Sequence, residues 1–181
     1  MREDLEEIYY TKQDIKTRVS ELGEQITKVY KGCDEITIIS IINGAIYFTV
    51  DILRNINVPI RLDCIRASSY GSKPYPDKKP EISVSIRLDI KNQHVLLIED
   101  ILDTGNTISM VYDYLNKCNP SSLLTCILLE KDCPRETSFK ADFIGFKVPD
   151  KFIVGYGLDY AERYRNLPYI GSLKTELLNP V

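Results

Sequence analysis

The sequence predicts an α/β fold: a mainly parallel, twisted sheet flanked by helices, with a small hood formed by the N- and C-terminal segments. Three observations predict it. Short runs rich in Ile, Val and Leu alternate with stretches whose apolar residues recur every three or four positions, the order that builds parallel sheets. The run at 35–42 is apolar except for its Thr and Ser, as in a strand covered on both faces. No internal repeat or low-complexity tract interrupts the pattern, so residues 1–181 read as one domain.

Residues 11–31 predict an amphipathic helix, with Ile15, Val19, Leu22, Ile26 and Val29 on one face and Thr11 and Asp14 placed as an N-cap and first-turn acid. After the 35–42 strand, "NGAIYFTVDILRNI" predicts a second helix with Ala45, Phe48 and Ile52 inward. Residues 58–67 follow as a strand, and 68–80, rich in Ser, Gly, Pro and Lys, as the one long flexible loop. Strict alternation over 81–89 predicts a half-solvated strand with Ile82, Val84, Ile86 and Leu88 on its apolar face. Strands are then expected at 94–100, 123–131 and 142–148, a helix at 106–118, and a last element at 152–160. The N-terminal helix and the tail are expected to form the hood.

Composition bounds the function. A chain of 181 residues with 44% hydrophobic content can bury one substantial core. A net charge of −3 argues against a nucleic-acid partner, whose phosphates favour a basic surface. The N-terminal "MREDLEEIYYTK" is too charged for a signal peptide, and no apolar run approaches the roughly 20 residues of a membrane span. Five cysteines without a C-x-x-C spacing read as free thiols in a reducing cytoplasm, and the single histidine, His94, has no zinc-ligand spacing to them.

The informative stretch is "LIEDILDTGNT" (97–107). It is an apolar strand that ends in Glu99 and Asp100, adds Asp103, and runs into Thr104, Gly105, Asn106 and Thr107 at the start of a helix. In open parallel sheets, ligands bind beyond such strand ends. Unpaired N–H groups and the positive end of a helix dipole there favour an anion, and Gly105 allows close approach. An ordinary N-cap is the other reading of the loop. Glu99 and Asp100 point to opposite faces of an extended segment and need hydroxyl donors, basic groups or a divalent cation unless solvent covers them. "LDTG" also matches an aspartic-protease signature, but those enzymes are all-β and carry the motif twice or once per subunit. "GYGLDY" (155–160) lacks the third glycine of a dinucleotide fingerprint, and no phosphate-binding G-x-x-x-x-G-K-[ST] occurs.

"VLLIEDILDTGNT" (95–107) resembles the phosphoribosyl pyrophosphate signature of the type I phosphoribosyltransferases. That motif does not choose among purine, pyrimidine and regulatory members. "IING" (41–44), "ASSYGS" (67–72), "LLEK" (128–131) and above all "FIGFKVPDKFIVGYGLDYAERYRNLPYIG" (143–171) resemble the short hypoxanthine-guanine branch. The resemblance implies that fold, magnesium as cofactor, a homo-oligomer (dimer or tetramer), and transfer of a phosphoribosyl group from phosphoribosyl pyrophosphate to an oxo-purine in purine salvage.

It also implies roles. Thr104, Gly105, Asn106 and Thr107 take the 5′-phosphate, Glu99 and Asp100 the ribose hydroxyls and magnesium, and Asp103 the proton of the purine's five-membered ring. Lys131 donates to the oxygen at the six position, Phe152 stacks on the base, and the backbone of Ile153 faces the two position. Asp159, on the purine side, matches a second magnesium ligand, and Arg165 a pyrophosphate contact. Ser68, Ser69, Tyr70 and Gly71 match a closing lid. Taken alone, Lys131, Asp159 and Arg165 would be ordinary surface charges, and Phe152 and Ile153 ordinary core. Asn43 and Gly44 match the pyrophosphate loop, which in relatives often contains a cis peptide. There Asn43 departs from the family's Lys or Arg, and weaker pyrophosphate binding is expected from the missing charge.

Overall fold

The computed structural model of the chain describes residues 1–68 and 81–178. Its elements run β1 (Leu5–Tyr10), α1 (Lys12–Val29), β2 (Ile36–Ile42), α2 (Ile46–Leu53), β3 (Ile60–Ser68), β4 (Glu81–Val84), β5 (His94–Leu102), α3 (Asn106–Asn116), β6 (Ser122–Asp132), β7 (Phe143–Pro149), β8 (Ile153–Val154) and β9 (Ile170–Leu173). Ser68 ends β3; Ser69, Tyr70, Gly71 and the rest of the expected lid loop lie outside the described residues.

Six strands form the main sheet in the order β4-β3-β2-β5-β6-β7. All neighbours are parallel except β4, which runs antiparallel to β3. Alternation along each strand divides the core in two. Ile36, Ile38, Leu96 and Ile98 face α1 and α2, whereas Ile39, Ile41, Val95 and Leu97 face α3. Chain order reverses at β2: the path through α2 leads to β3 on one side, and β5 lies on the other. A crevice therefore opens at the carboxyl ends of β2 and β5, the place where such sheets bind ligands.

α1 starts as predicted. Thr11 Oγ1 accepts from Asp14 N–H at 3.3 Å, and Thr11 N–H donates to Asp14 Oδ2 at 2.8 Å, a reciprocal capping box. Val29 does not join the buried stripe and is 55% exposed. Tyr30, four residues after Ile26, takes that place, and its hydroxyl donates to Val95 O at 3.2 Å.

Three further expectations are corrected. The hood is a three-stranded antiparallel sheet, β1-β9-β8, and α1 packs against α2 and β7 of the main sheet instead. The 81–89 strand stops at Val84, because Asp63 Oδ2 captures the N–H groups of Arg87 and Leu88 (2.6 and 2.8 Å) that a ladder would have used. Val84 is consequently half-exposed. The 152–160 element is extended only over β8, after which Gly155, Tyr156 and Gly157 take φ of +99°, +50° and +108° and turn the chain.

Hood and sheet are tied together by Tyr10, which stacks on Phe146 (centroids 3.9 Å) and donates to Lys147 O at 2.6 Å. Arg18 does the same for α1. Its guanidinium donates to Gly145 O (2.8 Å) and Ile144 O (2.7 Å) on β7, the edge strand. Among the described residues, no helix is long and apolar enough to cross a membrane. Replacing Arg18 by Leu leaves those carbonyls without their charged donor, so urea unfolding is expected to show a loss of about 1.5–3 kcal/mol. An unchanged midpoint would refute the clamp.

Candidate active site

β5 carries its apolar run to Ile98 and then places Glu99, 5% exposed, and Asp100, half-buried, at the crevice. Each carboxylate accepts a backbone N–H: Glu99 Oε1 from Asp100 at 3.1 Å, and Asp100 Oδ1 from Ile101 at 2.9 Å. Burial raises both carboxyls above their ordinary range, and the neighbouring Asp100 charge raises Glu99 further.

Gly44 makes this possible. A β-carbon there would overlap the Asp100 carboxylate, and one on Gly157 would overlap the Gly44 carbonyl. The loop after β2, the end of β5 and the turn after β8 thus meet at Gly44. The Ile42–Asn43 peptide is cis, and Asn43 Oδ1 accepts from Arg66 Nη2 at 2.9 Å.

The helix N-terminus answers the question of the loop. The N-cap of α3 is Gly105 at φ +92°, and no side chain caps its first turn. Its leading N–H groups face an open cavity of about 300 Å³ lined by Asn43, Gly44 and the whole of 99–107.

Three basic side chains hold the surroundings. Arg135 Nη1 donates to Leu102 O (3.0 Å) and Asp103 O (2.6 Å), and its Nη2 reaches Glu130 Oε1 at 3.1 Å. Lys131 Nζ lies 3.2 Å from Asp103 Oδ2 and 3.0 Å from Asp150 Oδ1. Burial alone would lower its ammonium, but the Asp150 and Asp103 carboxylates outweigh that and hold it above the ordinary lysine value. Arg165 bridges Asp159 and Glu162, both at 2.8 Å, and donates to Gly157 O at 2.8 Å. The Cys133 thiol donates to Asp103 Oδ1 at 3.1 Å and is pushed up to about 11 by burial and by that acid.

A family profile, the phosphoribosyl transferase domain, matches residues 6–161. The chain belongs to the phosphoribosyltransferase family. It is similar to the hypoxanthine phosphoribosyltransferase of Haemophilus influenzae, at 41% identity over 94% of this chain and 96% of the relative. It is also 38% identical to the hypoxanthine-guanine phosphoribosyltransferase of Bacillus subtilis, over 96% of each. A crystal structure of the hypoxanthine phosphoribosyltransferase from Staphylococcus aureus superposes with a TM-score of 0.92 at 38% identity, covering 99% of this chain and 97% of that one. This phosphoribosyltransferase therefore sits in the hypoxanthine(-guanine) branch, has the type I fold, and is a purine-salvage enzyme.

Of the residues singled out from its sequence, Asn43, Gly44, Glu99, Asp100, Asp103, Thr104, Gly105, Asn106 and Thr107 line this cavity together. Lys131 joins it through Asp103. Phe152, Ile153, Asp159 and Arg165 are not on its lining; Phe152 and Ile153 belong to the hood side, while Arg165, paired with Asp159, connects to it through the Gly157–Gly44 contact. Phe152 is half-buried, edge-on to Tyr160 at 5.2 Å, and Ile153 is 5% exposed. Among the described residues no three His, Cys, Asp or Glu side chains converge as metal ligands, and Asp159 is committed to Arg165.

Sequence reasoning missed Arg66, Arg135, Glu136 and Asp150. Glu136 N–H donates to Thr104 O at 3.0 Å, and its carboxylate accepts from Asn106 Nδ2 at 2.5 Å, so the 133–137 segment steadies the anion loop. The signal was "KDCPRET", charged residues packed around a proline directly after Lys131.

The acid pair carries a stability consequence. A carboxyl raised by folding contributes stability that is intact below its ordinary value near pH ~4.3 and lost as pH rises through the raised one. Glu99→Gln removes that loss. The ligand-free variant should melt about 2–4 °C above wild type near pH ~8 and gain less near pH ~5, the response of a chain this size to about 1 kcal/mol. Calorimetry showing no gain near pH ~8 would mean that the buried acid carries no penalty.

Proposed function

We propose that this enzyme transfers the 5-phosphoribosyl group of phosphoribosyl pyrophosphate to hypoxanthine and/or guanine, giving IMP or GMP and pyrophosphate. The observation that carries the reading is the uncapped N-terminus of α3 in the same cavity as the buried Glu99–Asp100 pair. An anion at the helix end and a polyhydroxylated sugar beside two carboxylates satisfy both together. The reading treats residues 1–181 as one catalytic domain, with 68–80 as the lid, in a reducing cytoplasm that suits the five free cysteines. A second copy of the chain would cover Ile46, Tyr47 and Val50, which α2 presents 42–43% exposed.

In the proposed division of labour, Thr104, Gly105, Asn106 and Thr107 bind the 5′-phosphate through backbone and side-chain donors. Glu99 and Asp100 accept from the ribose hydroxyls. Asp103, at the rim between the anion loop and Lys131, takes the proton released from the purine ring. Lys131, kept protonated by its two carboxylates, donates to the six-oxo oxygen, which favours oxo-purines over adenine. Phe152 and the Ile153 backbone hold the base from the hood. Asn43 and Gly44 receive the pyrophosphate group with their N–H groups, and Arg165 stands behind them.

Glu99 and Asp100 fit magnesium: both offer hard oxygen ligands, and two adjacent carboxylates at a strand end favour a cation between them and the ligand. When bound there, with Asp159 on the purine side as a second ligand, magnesium would neutralise charge on the leaving group. The transition state of this chemistry is oxocarbenium-like, so the chain's own contribution is orientation, exclusion of water and fixed dipoles.

Initial rates with phosphoribosyl pyrophosphate, magnesium and each of the four purines test the reading: turnover with hypoxanthine or guanine and none with adenine is expected. Asp103→Asn should lower kcat by about 100-fold or more while KM for phosphoribosyl pyrophosphate stays close to wild type. Near-normal turnover in that variant removes the proton-acceptor role. Lys131→Gln should cost about tenfold or more in kcat/KM for hypoxanthine, and an unchanged value takes Lys131 out of the base site.

A further inference from the structure

We propose that Arg66 supplies the cationic side chain that recognises the pyrophosphate group, and that Asn43 holds its guanidinium against the loop. The inference rests on the reading that Asn43 and Gly44 receive pyrophosphate. The side-chain charge missing at position 43 is on this account moved to the neighbouring strand, not lost.

The placement follows from the sheet. β2 and β3 are parallel and in register, with Ile42 paired to Arg66, so Arg66 stands beside the residue that precedes the loop. Its Nη2 donates to Asn43 Oδ1 at 2.9 Å, a contact that a lysine or arginine at position 43 would replace with repulsion. Arg66 is exposed, so its guanidinium can turn toward a ligand at little cost.

Charge gives the reason. Among the described residues, the cavity lining carries Glu99, Asp100 and Asp103 and no lysine or arginine. A polyanion entering there meets three carboxylates. Arg165, on the hood side, already bridges two acids at 2.8 Å, so much of its charge is spent within the chain. Arg66 meets a neutral amide oxygen at Asn43, which orients a guanidinium without cancelling its charge. Its fork of donors matches phosphate oxygens two at a time.

Calorimetric titration of pyrophosphate with magnesium into the full chain tests this independently of turnover. Arg66→Gln is expected to weaken pyrophosphate binding about tenfold or more. It should leave IMP, which has no pyrophosphate, bound as in wild type; a loss of both alike would mean a merely structural residue and overturn the proposal. Asn43→Lys should tighten pyrophosphate little in the wild-type background and restore it in the Arg66→Gln background, because the two cations serve one site. Equal pyrophosphate affinity in wild type and Arg66→Gln, or a gain from Asn43→Lys that is the same in both backgrounds, refutes the role of Arg66 alone. A wild-type chain that binds no pyrophosphate refutes the assignment of the loop itself, and Arg66 with it.

Discussion

The architecture of the site depends on one unfavourable arrangement: two consecutive carboxylates at the buried end of β5. Desolvation pushes both toward their protonated forms, the Asp100 charge pushes Glu99 further, and a well-packed core would gain by replacing them. The fold accommodates them with backbone. Each acid accepts one N–H, and Gly44 leaves room for the Asp100 carboxylate where any β-carbon would collide. Because Gly157 in turn presses on the Gly44 carbonyl, the geometry of one acid fixes the approach of two loops.

The basic residues of the site explain how irregular segments hold so defined a shape. Arg135 fixes the Leu102 and Asp103 carbonyls where β5 leaves the sheet, and Arg165 fixes the Gly157 carbonyl where the chain turns at positive φ. Both guanidiniums also meet acids from their own neighbourhood, so each acts as a crosslink between a carbonyl and a carboxylate. A lysine, with a compact charge and no fork, would not span such pairs. The arrangement leaves the N-terminus of α3 free for a ligand while its flanking loop is held from outside by Arg135 and Glu136.

The main sheet was legible in the sequence because each central strand is apolar on both faces, and each helix shows its period and, for α1, its capping box. The anion loop was legible because a strand end, three acids and Gly105 are contiguous in the chain. The hood strands β1 and β9 were not, since the charged "LEEIYY" lacks strict alternation and finds its partner only across the whole chain length. Val84 and the end of β4 failed for a tertiary reason, the capture of two N–H groups by Asp63. Arg66 escaped notice for the same kind of reason: an arginine on a strand has no local mark that tells it from a surface charge. Its role exists only in the register of β2 and β3.

A common logic joins the polar contacts of the site. On the proposed assignment, Asp103 would meet the purine ring and Lys131 its oxygen, and in the structure the two stand 3.2 Å from each other. Arg165 rests on Asp159 and Arg66 on Asn43, all groups expected to turn to the pyrophosphate or its metal. Binding on this scheme is an exchange of partners, so a substrate need not pay to create or expose charge, and each group already stands near its working position. The exception is the Glu99–Asp100 pair, whose hydrogen-bond donors among the described residues are backbone N–H groups. That pair is where the incoming sugar and cation bring something the chain lacks, and so where binding free energy is best coupled to closing the site.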